Sequence, residues 1–104
     1  MPRQKITILT GVTLDDQHQL SFDELCRMCH VQADRIFAMV EQGLIEPFGA
    51  SPNEWHFSAN DFRRTRTALR LQKDLEINLA GIAIILDLLD EMRIMEHKIK
   101  ILDK

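Results

Sequence analysis

The 104-residue sequence predicts a mainly α fold: a winged helix-turn-helix with small β elements, followed by a long C-terminal dimerisation helix. Two short amphipathic stretches flank His30-Val31-Gln32 and have the periodicity of helices joined across a tight turn. An extended segment, a loop containing Gly, Ser, Pro and Asn, and a second extended segment follow, the pattern of a β-wing. From Leu79 onward the chain is apolar on more than one side and carries a heptad-like spacing.

Each element has its own local cause. Lys5 to Leu14 is rich in β-branched residues and partly alternating, which predicts one short strand or a small hairpin, and Asp15 to Gln19 is a polar connector. Ser21-Phe22-Asp23-Glu24 has the form of a capping box, in which hydroxyl and carboxylate reciprocally satisfy the free amides at a helix start. The helix it opens is expected to reach Cys29, with Phe22, Leu25, Met28 and Cys29 on one face. The second helix places Ala33, Ile36, Phe37 and Val40 at i, i+3, i+4 and i+7, and Gly43 is its expected left-handed C′ residue. Gln32, Asp34, Arg35, Met39 and Glu41 are assigned to its outer surface. Leu44 to Pro47 leaves as an extended piece, and Glu54 to Phe57 returns as the other side of the wing. Trp55 and Phe57 share a face there, either packing the wing onto the helices or offering an aromatic anchor to a partner.

A third helix is expected from Ser58 to about Glu76, with Phe62, Leu69, Leu71 and Leu75 as apolar positions. Arg63, Arg66, Arg70 and Lys73 fall on one face as a solvated stripe, or alternatively as a phosphate track. Asn78 caps the last helix, whose Ile82, Ile85, Leu89, Met92, Glu96 and Ile99 repeat at 3-4-3-4-3, a seam broken by Glu96. A helix this apolar needs cover beyond one small domain, so a homodimer through Ile82, Ile85, Leu89, Met92 and Ile99 is expected. The organisation expected is a winged unit over residues 1–77 and a dimerisation helix over 78–104, acting as one structural unit.

Composition narrows the function. With 45% hydrophobic and 28% charged residues the chain is a folded globular type, and no run of apolar residues is long enough to span a membrane. Met-Pro-Arg-Gln-Lys lacks the apolar stretch of a secretory signal, so the expected location is the reducing cytoplasm, with Cys26 and Cys29 as free thiols. Cys26-Arg27-Met28-Cys29-His30 matches the haem-attachment pattern C-x-x-C-H, but that attachment occurs outside the cytoplasm and this match lies in a capped helix using Cys29 as core. Zinc binding by these residues with a remote His18 or His56 lacks the required spacing, and a redox role lacks its βαβ context. No phosphate-cradling glycine loop, metalloprotease motif or paired carboxylates appear either. The sequence reads as a binding protein with no catalytic residues, no metal and no cofactor.

The run Val40-Glu41-Gln42-Gly43-Leu44-Ile45-Glu46-Pro47, the wing Gly49 to Phe57, and Arg70 to Ala83 continuing to Leu88-Leu89-Asp90-Glu91 resemble the CbpM-type chaperone modulators, within the MerR-like winged-helix superfamily. The resemblance covers about residues 20 to 102, while the first twenty depart from the pattern through a longer connector. It implies a protein that binds the J-domain of a DnaJ/CbpA-type co-chaperone and inhibits it by blocking its Hsp70 (DnaK) contact. The alternative is a MerR-like DNA-binding transcription regulator.

Charge decides between them. The chain holds 13 basic and 16 acidic residues, a net charge of -3. Between Leu20 and Phe57, however, Arg27 and Arg35 face six acids, leaving -4 on the unit that would read DNA. Such a surface repels a polyanion and suits the positive helix that a J-domain generally presents. DNA binding is therefore not expected. The expected J-domain contact is the surface formed by Asp34, Glu41, Glu46, Trp55 and His56.

Overall fold

The computed structural model describes residues 5–7, 13–15 and 19–102. Asp16, Gln17 and His18 of the connector lie outside the described residues. Strand β1 (Lys5–Thr7) pairs antiparallel with β2 (Thr13–Asp15), placing Ile6 opposite Leu14. The N-terminal stretch thus takes the paired form of the two expected.

Strand β3 (Leu20–Ser21) leads directly into α1 (Phe22–Cys29). The Ser21 hydroxyl accepts from the Glu24 amide at 3.1 Å, and the Ser21 amide donates to the Glu24 carboxylate at 3.0 Å, so the capping box is complete. His30 ends α1 in the left-handed region (φ 56°), and its amide donates to the Arg27 carbonyl. Helix α2 (Ala33–Glu41) begins after this turn and ends at Gly43, whose φ of 77° is the expected left-handed exit.

The wing is narrow. Phe48 and His56 exchange backbone hydrogen bonds of 3.0 and 2.9 Å, and a short 3-10 turn, Pro52–Glu54, forms the tip. Gly49 is needed there, because a Cβ on it would lie 2.4 Å from the Glu54 carbonyl oxygen. Strand β4 (His56–Phe57) also pairs with β3, Leu20 opposite Phe57, which draws the wing onto the start of α1.

Helix α3 (Ala59–Leu75) starts with a second capping box: the Ser58 hydroxyl accepts from the Asp61 amide and the Asp61 carboxylate from the Ser58 amide, each at 3.1 Å. Its inner face is Ala59, Phe62, Thr65 and Ala68, with Leu69 and Leu71 half-buried. Leu75, assigned to the apolar face from sequence, is exposed, because it lies in the last turn of α3, beyond Ala68, the last fully buried residue of the helix.

Helix α4 (Leu79–Leu102) is capped by Asn78, whose side chain accepts from the Gly81 amide at 2.9 Å. Ile82 and Leu86 complete a core made with Leu20, Leu25, Ile36, Met39, Leu44, Ile45, Phe57 and Phe62. From Glu91 to Leu102 every residue is exposed, so about half of the helix projects past the body.

Arg64 ties the parts together. Its guanidinium donates to the Leu44 carbonyl at 2.6 Å, to Asp87 at 3.2 Å and to Asp90. The exit of α2 and the midpoint of α4 are therefore held by one side chain of α3.

Candidate partner-binding site

Helix α2 presents two different sides. Ile36 and Met39 point into the core, and Val40 packs against it. Met39, assigned to the outer surface from sequence, is 0% exposed, whereas Phe37, assigned to the core face, is 41% exposed. The sequence spacing fits either choice, since Ile36 and Val40 belong to both arcs and only tertiary packing selects the neighbour that turns inward.

The side of α2 left outside forms one wall of an open groove of about 870 Å³. Phe22 from α1, Ala33, Phe37 and Ala38 from α2, and Leu79 and Ala80 from α4 supply its apolar lining. Asp34, Glu41, Gln42 and Asn78 supply the polar part. Lys, Arg and His are absent from the lining, and neither Asp34 nor Glu41 makes an ion pair among the described residues.

Aromatic rings support this groove from behind. Trp55 stacks on Phe22 with centroids 5.6 Å apart and on Phe37 at 5.7 Å, and meets Phe57 edge-on at 6.0 Å. Trp55 is half-buried and Phe57 fully buried, so these side chains pack the wing onto the helices, the first of the two roles weighed from sequence. Of the expected contact residues, Asp34 and Glu41 share the groove and Trp55 braces it. His56 is exposed on the opposite side of the strand from Trp55 and Phe57. Glu46 is exposed elsewhere, in a smaller polar depression with Arg64, Asp87 and Asp90. Sequence reasoning missed the groove's other residues, Leu79 and Ala80 above all, because it forms where three elements far apart in the chain converge.

The chain matches the family model described as "MerR HTH family regulatory protein" over residues 20–104. Among curated proteins it is 39% identical over 97 residues to the chaperone modulatory protein CbpM of Coxiella burnetii (strain Dugway 5J108-111), covering 93% of this chain and 92% of the relative. The CbpM of Pseudomonas putida (strain GB-1) is 37% identical over 75 residues, covering 72% of this chain and 74% of the relative. The chain belongs to the CbpM family of chaperone modulators, within the MerR-like helix-turn-helix proteins.

Two further features of this CbpM-family chain bear on what it can do. Burial, added to by Cys26 and opposed by Arg66, pushes the Cys29 thiol up to about 11, and burial with Asp23 also raises Cys26. Both cysteines are free thiols, and such raised values keep them protonated and weakly nucleophilic at neutral pH. The basic stripe of α3 is partly engaged within the chain: Arg63 donates to Asn60 at 3.3 Å and Arg66 lies 5.8 Å from the Phe62 ring centroid, leaving Arg70 and Lys73 exposed.

The apolar surface of α4 departs from the seam read in the sequence. Ile82 is buried in the chain's own core and Leu89 is half-buried on the same side, so neither offers much area to another molecule. Half-buried Ile85 and exposed Leu88, Met92, Met95, Ile99 and Leu102 form an unbroken 3-4-3-4-3 repeat on the adjoining side. Glu96 falls outside it.

Proposed function

We propose that this protein binds the J-domain of a DnaJ/CbpA-type co-chaperone in the cytoplasm and inhibits it by covering the surface through which the J-domain meets Hsp70 (DnaK). The observation that carries this reading is the balance of -4 between Leu20 and Phe57, with Asp34 and Glu41 unpaired among the described residues beside an open apolar groove. A positively charged protein helix suits that surface, and duplex DNA does not. The contact set is Asp34, Glu41, Glu46, Trp55 and His56. The chain acts without a cofactor and catalyses no reaction of its own.

Two copies associate through the projecting part of α4, residues 78–104 forming the arm and residues 1–77 the winged unit that engages the partner. Support comes from the repeat at Ile85, Leu88, Met92, Met95, Ile99 and Leu102, whose last five members are 54% to 82% exposed. An apolar heptad seam of this length fits a second copy of the same helix.

The test is titration calorimetry of the full chain against a purified CbpA-type J-domain, beside a DnaK ATPase assay stimulated by the same co-chaperone. Binding with a lowered ATPase rate, and an affinity that falls as salt rises, is the expected result. Binding without inhibition would leave only tethering. No J-domain binding, together with a duplex mobility shift at near-physiological salt, would replace this reading with a DNA-binding regulator.

A further inference from the structure

We infer that the groove between α2 and the start of α4 is a seat for one amphipathic helix of a partner protein, whose apolar ridge is flanked by two cationic side chains about seven residues apart. This deepens the J-domain reading, on which it rests, by naming the recognising residues and the chemistry of the segment they take.

Shape and chemistry of the lining support it together. Phe22, Phe37 and Leu79 are the large apolar groups, and Ala33, Ala38 and Ala80 keep the space between them open. Phe37 is 41% exposed although it packs on Trp55, so part of an otherwise anchored ring is held out to solvent. A rigid aromatic face between small residues receives the side chains of a helix laid into it. The rings are fixed in place by the stack Phe22–Trp55–Phe37, so little ordering is needed when a partner binds.

Charge selects the occupant. Asp34 and Glu41 are the ionisable groups in the lining, both are exposed, and neither makes an ion pair within the chain among the described residues. They stand seven residues apart on α2, which is two turns or about 10.5 Å along the helix axis. A partner helix lying alongside α2 meets both carboxylates when its own Lys or Arg residues are also two turns apart, with its apolar ridge between them over Phe37. Glu46 lies outside the lining, so its share of the proposed J-domain contact falls outside this one helix.

The probe is a synthetic 18-residue amphipathic peptide with leucines on one face and two lysines seven residues apart beside them, titrated into the full-length protein. Its twin carries glutamates in place of those lysines. The basic peptide should bind and its acidic twin should bind about tenfold more weakly or worse. Asp34→Lys and Glu41→Lys should each weaken the basic peptide by about tenfold, whereas Glu91→Lys, exposed on α4 outside the lining and with the same change in net charge, should leave it unaltered. Ala33→Trp, placed at an exposed position, should block the groove without loss of helical signal or melting temperature. Equal binding of both peptides, or equal effects of the three charge reversals, overturns the inference. Conversion of a dimer to a monomer by Ala33→Trp also overturns it, because the groove would then seat a second copy. A J-domain that binds the wild-type and the Asp34→Lys/Glu41→Lys chains equally sinks the groove alone and leaves the partner standing. Peptide binding that obeys the charge rule, without J-domain binding, supports the groove and sinks the partner.

Discussion

Replacing Arg64 with alanine should be among the most damaging polar substitutions in this protein. The guanidinium makes three contacts that differ in worth. Its bond to the Leu44 carbonyl, at 2.6 Å and beneath a side chain only 11% exposed, is charge-assisted and worth about 1.5–3 kcal/mol. The Asp90 carboxylate is 35% exposed, so that pair contributes about 1 kcal/mol, while Asp87 at 73% exposure contributes close to nothing. Loss of the side chain also strands the Leu44 carbonyl, since Leu44 itself is buried. The total is about 3 kcal/mol, a fall of roughly 10–20 °C in Tm for a domain this size. Urea denaturation followed by far-ultraviolet circular dichroism measures it, at one fixed protein concentration so that the proposed association through α4 weighs equally on every variant. Asp90→Ala should cost about 1 kcal/mol and Asp87→Ala less than about 0.5 kcal/mol. An Arg64→Ala protein within about 0.5 kcal/mol of wild type, or an Asp87→Ala protein as damaged as Asp90→Ala, would refute the ranking.

Three further outcomes follow from local geometry. Gly43→Ala should cost about 1 kcal/mol through its positive φ alone, since nothing lies within 4 Å of an added Cβ, whereas Gly49→Ala should cost about 2 kcal/mol or more because that Cβ would strike the Glu54 carbonyl; paired melting curves separate them. Cys29 should react with iodoacetamide far more slowly than a free thiol at pH 8. Because its folded value of about 11 exceeds its ordinary 9.0, the folded state keeps a proton that the unfolded chain has lost, so stability should fall between pH 9 and 11, and less so in Cys29→Ala. Under the proposed pairing of two copies through α4, Met95→Glu should give a monomer in sedimentation while Glu96→Lys should not; the reverse order would favour the seam through Ile82, Ile85, Leu89, Met92 and Ile99.

Elements whose causes are local were legible in the sequence. Ser21 with Glu24 marks the start of α1, Gly43 marks the exit of α2, and Asn78 caps α4, because each depends on residues within one turn. What depended on partners far along the chain was not. Met39 and Phe37 exchanged places because periodicity fixes an arc of the helix but not which edge of it a distant element covers. Arg64 looked like any cation of α3 beside the basic stripe, and its role appears only when Leu44, Asp87 and Asp90 are brought to it. In α4, Ile82 to Leu86 is apolar in every direction, so periodicity alone does not show which side the body covers, and Ile82 and Leu86 are the ones buried in it. Of the candidate site, the acidic members Asp34 and Glu41 were visible as local charge, and the apolar floor was not.

The protein has one tryptophan and no tyrosine, and that tryptophan sits in a stack with two of the rings lining the groove. Its ultraviolet emission on excitation near 295 nm therefore arises from a single indole with a known setting. Any occupant that displaces water from Phe22 and Phe37 changes the polarity around that indole, and any loosening of the wing separates it from both rings. The molecule carries an unlabelled optical gauge at the one surface where a partner is expected to arrive.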